Sequence, residues 1–151
     1  MRKFEVVKES MRRTNGEITL PTRGSKFSAG YDFYSPCHIV INPNEQKMIW
    51  TDVKAQFNEN EVLLLFVRSS MGKQPIVLSN GTGVVDFDYY NSAETDGNIG
   101  FRLRNLGEKP YEINVGDRIG QGVLIPFLTF ENGNTDNKRT GGFGSTNKEN
   151  K

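Results

Sequence analysis

Cysteine and histidine are nearly absent from this sequence: Cys37 and His38 are the only examples in 151 residues. A single cysteine excludes an internal disulfide and fits a reducing, cytoplasmic compartment. No second ligand stands at zinc spacing, so Cys37, followed by His38 and Ile39-Val40-Ile41, reads as a structural strand residue. One histidine excludes any mechanism that needs a histidine pair. Long apolar runs are missing too. None reaches the length of a signal peptide or a membrane span, so no membrane partner is expected. Nor is charge of one sign in excess. Nineteen basic residues stand against eighteen acidic ones, a net charge of +1, which provides no global field for nucleic acid. The length suits one domain with a core of its own.

What the sequence does have is punctuation. Sixteen glycines and six prolines divide it into short apolar runs. These are Cys37–Ile41, Lys47–Trp50, Val62–Val67 and Gly122–Phe127, each of strand length and bounded by turn residues. Phe101-Arg102-Leu103-Arg104 alternates apolar with charged, as a strand with one wet face does. Asn42-Pro43-Asn44 and Leu106–Pro110 read as turns. No run has the length and period of an amphipathic helix, although Ser69-Ser70 leaves room for a short helical turn. The fold class is all-β, a barrel or sandwich.

From Glu131 onward the only large apolar side chain is Phe143. Composition alone makes this a disordered tail. Yet Thr140–Thr146 sets one aromatic ring among glycines, beside hydroxyls and behind Lys138-Arg139. Free backbone N–H groups, hydroxyls and cations suit a polyphosphate, and a ring suits a base. A flexible segment that closes over ligand is a lid.

Three other stretches carry chemistry. Arg68-Ser69-Ser70-Met71-Gly72 follows the most apolar run, where a guanidinium fork and two hydroxyls can grip phosphate oxygens. Read blandly, it is a surface turn. Gly81–Tyr90 puts Asp86, Asp88 and two tyrosines at the tip of an expected hairpin. An aspartate leaving Val84-Val85 would be held rigidly, as a general base must be, but Asp88 shares its face if the strand continues. Gly116–Gly122 offers Arg118 and Gln121, either as structural hydrogen bonders or as phosphate contacts.

In this order the pieces resemble the five motifs of the trimeric dUTPase family. The motifs are Ser28–Phe33, Arg68–Gly72, Gly83–Tyr89, Gly116–Gln121 and Arg139–Thr146, with Leu20–Arg23 upstream of the first. The likeness extends from Leu20 to Thr146. It implies a dUTPase-like distorted jelly-roll or β-barrel subunit of the β-clip kind over residues 1–130. Residues 131–151 would form a flexible C-terminal arm carrying the lid. It also implies a homotrimer with active sites at subunit interfaces, hydrolysis of dUTP to dUMP and pyrophosphate, and Mg²⁺ bridging the phosphates.

The resemblance further assigns roles. Asp86 would activate the water that attacks the α-phosphorus and would face the Arg68 loop. Arg68, Ser69, Ser70, Gly72 and Gln121 would hold the triphosphate. Asn80 and the backbone around Gly97-Asn98-Ile99-Gly100 would read uracil, Gly83 would contact the substrate, and Tyr89 would lie under the deoxyribose. Phe143 of a closing tail would stack on the base, Arg139, Ser145 and Thr146 would clasp the terminal phosphate, and Gly144 would contact the substrate. Asp32 would stand near the metal, through water at most.

The chain departs from the family pattern in three places. The segment Tyr89–Gly97 is longer than the family's tight turn. Only Thr140 lies between Arg139 and the glycines, so Lys138 competes with Arg139 for the phosphate. The spacing from Arg68 to Asp86 also differs, with the slack expected near Gln74-Pro75. The longer hairpin is more like bacterial and phage forms. Two other readings stand beside hydrolysis: a dCTP deaminase or bifunctional relative on the same fold, and a nucleotide-gated protein whose exposed insertion docks a regulatory partner.

Overall fold

The computed structural model describes residues 1–139 and 141. Twelve strands fill it: β1 (Lys3–Val6), β2 (Thr22–Arg23), β3 (Tyr31–Tyr34), β4 (Ile39–Ile41), β5 (Gln46–Trp50), β6 (Val53–Gln56), β7 (Glu61–Phe66), β8 (Ile76–Leu78), β9 (Gly83–Val85), β10 (Gly100–Asn105), β11 (Tyr111–Ile113) and β12 (Arg118–Pro126). Only three short 3-10 turns interrupt them among the described residues. The fold is the all-β jelly roll expected.

Strand alternation builds the core. In β7, Leu63 and Leu65 point inward while Val62 and Leu64 are half-buried. In β10, Phe101 and Leu103 are buried while Arg102 and Arg104 are wet. Phe33 packs against Phe101 with ring centroids 5.3 Å apart, and Phe4 meets Phe33 edge-on. Ile41, Ile49, Ile113 and Ile119 complete the interior.

The central sheet runs β2-β3-β12-β7-β9, and a second sheet runs β5-β10-β8. Two features depart from the sequence reading. Strands β9 and β10 do not pair, so the Gly81–Gly100 stretch is not a regular hairpin: β9 lies on β7, and β10 lies on β5 and β8. Cys37 falls in the bend before β4 rather than in the strand, where its carbonyl accepts the Ser35 hydroxyl at 2.7 Å.

The expected turns are present. Asn44 takes a left-handed φ of 64° inside the Asn42–Glu45 turn. Gln74-Pro75 turns the chain into β8, and the 3-10 turn Met71–Lys73 follows Ser69-Ser70. No helix among the described residues is long and apolar enough to cross a membrane.

Candidate active site

The site residues fall into two groups at opposite ends of β7. The first lies beyond Phe66. There Arg68 Nε donates to Asp32 Oδ1 at 2.8 Å, and Arg118 Nε stands 3.6 Å from the other carboxylate oxygen. Register explains the meeting: β3 and β12 pair Asp32 with Gln121, and β12 and β7 pair Gln121 with Phe66. One nearly buried carboxylate thus anchors two guanidinium groups and leaves the cluster with a positive charge in excess. Arg68 Nη1 reaches Ser70 Oγ at 3.3 Å, and Gln121 Nε2 donates to the Val67 carbonyl at 3.3 Å. A Cβ on Gly30 would come within 2.2 Å of Gln121 Oε1, so glycine is what lets Gln121 lie there. Ser69, Ser70 and Gly72 are exposed on the turn beside it. A surplus cation beside exposed hydroxyls is an arrangement that suits an anion.

The second group lies past Val85, which pairs with Leu63 near the other end of β7. Here strand β9 stops. Asp86 keeps an extended backbone (φ −83°, ψ 159°), and Phe87–Tyr89 curl into a 3-10 turn. The strand therefore does not carry Asp88 onto the face of Asp86 by simple alternation. Both carboxylates still converge on one cation: Arg139 Nη1 lies 3.2 Å from Asp86 and 3.5 Å from Asp88. The same guanidinium sits over the Tyr89 ring, 5.2 Å from its centroid. Tyr89 is 2% exposed, and burial pushes its hydroxyl pKa up.

Asp86 therefore does not face the Arg68 loop of its own chain. The antiparallel register puts the two on the order of 15 Å apart along the strand direction, at about 3.3 Å per residue. A single chain holds both halves of the site but does not bring them together.

Between the halves lies a groove of about 300 Å³, lined by Met48, Leu65, Leu78, Asn80, Gly83 and Gly100, among others. Among its lining residues are Asn80 and Gly83, both named from the sequence as substrate contacts. Asn80 and Gly81 turn over its rim, with Gly81 at φ 74°. At Gly83 a Cβ would stand 2.9 Å from Leu65 Cβ, so the backbone approaches the groove floor only because it is bare.

Ile99, expected to read uracil through its backbone, does not open onto this groove. It is fully buried, its N–H donates to Val53, and its carbonyl accepts the Thr51 N–H and hydroxyl. With both its backbone groups engaged internally, Ile99 leaves Asn80, Gly83 and Gly100 as the candidates that line the groove. Leu65 and Arg102 were not anticipated on its walls, because which strands pair is not written locally.

Asp32 does not fit a direct metal ligand, since both its oxygens face arginines. Among the described residues no cluster of three or more His, Cys, Asp or Glu could hold an ion. The expected lid residues Phe143, Gly144, Ser145 and Thr146, with Thr140, lie outside the described residues. The segment Tyr89–Gly97, expected as an exposed insertion, is exposed only in part: Asn91, Ala93 and Glu94 face solvent, while Thr95, Asp96 and Gly97 are buried.

Comparison with known proteins agrees with the motifs and the fold. The dUTPase family model matches residues 16–147. The deoxyuridine 5'-triphosphate nucleotidohydrolase of Lactococcus lactis is 40% identical over 149 residues, 97% of each chain. The mouse protein of that name is 35% identical over 90% of this chain and 83% of its own. A crystal structure of dUTPase from Streptococcus mutans superposes with a TM-score of 0.75 at 34% identity, covering 85% of this chain and 98% of that one. A dUTPase from phage phi11 of S. aureus, described for its species-specific insert, superposes at 0.72 with 25% identity, covering 91% and 97%. With motifs, fold and relatives in agreement over nearly its whole length, this chain belongs to the dUTPase family.

Proposed function

We propose that the chain hydrolyses dUTP to dUMP and pyrophosphate in active sites assembled between the subunits of a homotrimer. The observation that carries this reading is the division of the site into two halves of opposite charge. An acidic half, Asp86 and Asp88, and a cationic half, Arg68 and Arg118, sit at opposite ends of β7. Each is useless alone. Apposed by a symmetry axis, they face a carboxylate toward a triphosphate cradle. Exposed apolar side chains supply surface for such an assembly: Val84 and Phe87 flank Asp86, and Leu128 and Phe130 follow β12.

In this reading Asp86 orients a water molecule and takes its proton as the oxygen attacks the α-phosphorus. The bond from the α-phosphorus to the bridging oxygen breaks, and pyrophosphate leaves with that electron pair. Arg68, Ser69, Ser70 and Gln121 hold the phosphate oxygens and stabilise the charge that builds on them. Asp86 lies at a strand end and acts chiefly by placement, since a carboxylate is a weak base. Uracil sits in the groove beside Asn80 and Gly83, with Tyr89 under the sugar. Mg²⁺, which a triphosphate substrate brings with it, would neutralise phosphate charge there, with no carboxylate cluster to hold it directly among the described residues. Arg139, which here pairs with Asp86 and Asp88, serves the terminal phosphate when substrate is bound, and Phe143, Gly144, Ser145 and Thr146 are the lid residues that the resemblance implies. The cytoplasm is the compartment that fits.

The test is turnover of dUTP, dTTP, dCTP and UTP side by side with Mg²⁺, measuring pyrophosphate and ammonia. Pyrophosphate from dUTP alone is the expected result. Ammonia from dCTP would favour a deaminase, and equal turnover of all four would remove the base and sugar reading.

A further inference from the structure

The stretch from Tyr90 to Gly97 is longer than a tight turn needs, and its internal bonds converge on Tyr89. The Tyr89 hydroxyl donates to the Asn98 carbonyl at 2.5 Å and accepts from Thr95 Oγ1 at 3.0 Å. The Thr95 hydroxyl lies 2.9 Å from Ser92 Oγ, which also accepts the Gly97 N–H at 3.2 Å. A ring held through both the donor and the acceptor side of its hydroxyl does not tilt without breaking a buried hydrogen bond.

The loop is itself tied down. Asp96, 1% exposed and left-handed at φ 56°, accepts Lys54 Nζ at 2.9 Å and the Lys8 N–H at 2.8 Å. Lys54 also reaches Asn91 Oδ1 at 2.6 Å and lies 4.9 Å from the Tyr90 ring centroid. The Tyr90 hydroxyl donates to Glu5. Strand β6 and the segment after β1 therefore clamp the loop, and the loop clamps Tyr89.

We propose that the Tyr90–Gly97 segment is a brace for Tyr89. In it, Thr95 and Asp96 are positioning residues that sharpen the choice of 2'-deoxyribose over ribose. The proposal rests on Tyr89 being the ring under the sugar. A ring excludes a 2'-hydroxyl only as strongly as it resists being pushed aside. A ring free to swing accommodates the extra oxygen cheaply, whereas one locked through Thr95 and Asn98 does not. The long loop supplies that stiffness from the back of the ring, away from substrate.

The test compares kcat/KM for dUTP with kcat/KM for UTP in wild type, Thr95→Val, Thr95→Ser and Asp96→Asn. Valine keeps the shape of threonine and loses the hydroxyl, and serine keeps the hydroxyl. In Thr95→Val the dUTP-over-UTP ratio falls about five- to tenfold, the size of one lost hydrogen bond. The fall comes from a raised KM for dUTP and gained turnover of UTP, with kcat for dUTP nearly unchanged. Thr95→Ser restores the wild-type ratio. Asp96→Asn lowers the ratio without touching the ring, and carries the test where Thr95→Val does not fold. A wild-type ratio in the folded valine and Asp96 variants overturns the brace. So does an equal loss on both nucleotides that serine fails to rescue, because that is ordinary packing damage. A wild-type protein with no preference for dUTP strikes the sugar reading itself, and the brace falls with it.

Discussion

Asp32 shows how one side chain is shared between architecture and chemistry. The carboxylate sits on β3, nearly buried, with a guanidinium on each oxygen. Its role is to hold Arg68 and Arg118 side by side at the end of the sheet, which is why it is a poor candidate for a metal ligand. Asp32→Asn keeps the shape but removes the charge that anchors them. The KM for dUTP is expected to rise about tenfold, the scale of one weakened charge-assisted hydrogen bond, with a smaller effect on kcat. An unchanged KM would leave Asp32 with no part in holding the cradle. Asp86→Asn differs in kind. It should cut kcat by on the order of 10²–10⁴-fold while nucleotide still binds, measured by single-turnover hydrolysis beside equilibrium binding. Full activity in that variant removes Asp86 from the reaction.

Among the elements, the strands were the most legible and the turns around the site the least. The runs containing Leu63, Leu65 and Leu103 announce strands through apolar spacing alone, and β7 and β10 form there. Val84-Val85-Asp86-Phe87-Asp88 reads as a continuing strand by the same rule. The chain instead curls after Asp86, because Tyr89 is drawn into the interior, where Thr95 and Asn98 hold its hydroxyl. Those partners belong to a loop whose fold depends on Lys54 and Lys8, far away in sequence. No local pattern carries that information.

The same loop makes a prediction about acid. Burial on its own pushes the Asp96 carboxyl up, but the Lys8 N–H, the Lys54 ammonium and the Lys8 charge outweigh it. The group is held below its ordinary range. A depressed folded-state pKa contributes stability above the unfolded value of about 3.9, and that contribution is lost as pH falls through the folded value. Thermal melts of wild type and Asp96→Asn should therefore differ near neutrality and converge below about pH 4. A gap that persists in acid would show that the Asp96 charge contributes nothing.

At the scale of the whole molecule, the five motifs made the family legible from the sequence, and with it the expectation of sites at subunit interfaces, but not which residues stand at which end of a strand. Motif order places Arg68, Asp86 and Arg139 along one line. It says nothing of the antiparallel register that sends Arg68 and Asp86 to opposite ends of β7. The proposed composite site rests on that register together with the need for a carboxylate to face the triphosphate. In the function proposed above, assembly is part of catalysis, since an isolated subunit carries both halves and can use neither.

Subunit mixing tests this most directly. Arg68→Ala and Asp86→Asn chains are each prepared as inactive assemblies, unfolded together, refolded and assayed for dUTP hydrolysis. In mixed assemblies some interfaces join the intact Asp86 of one chain to the intact Arg68 of another. Random mixing then restores about a quarter of wild-type activity. If the mixture stays as inactive as its parents while wild type survives the same refolding, Asp86 and Arg68 do not act across an interface, and the account is contradicted.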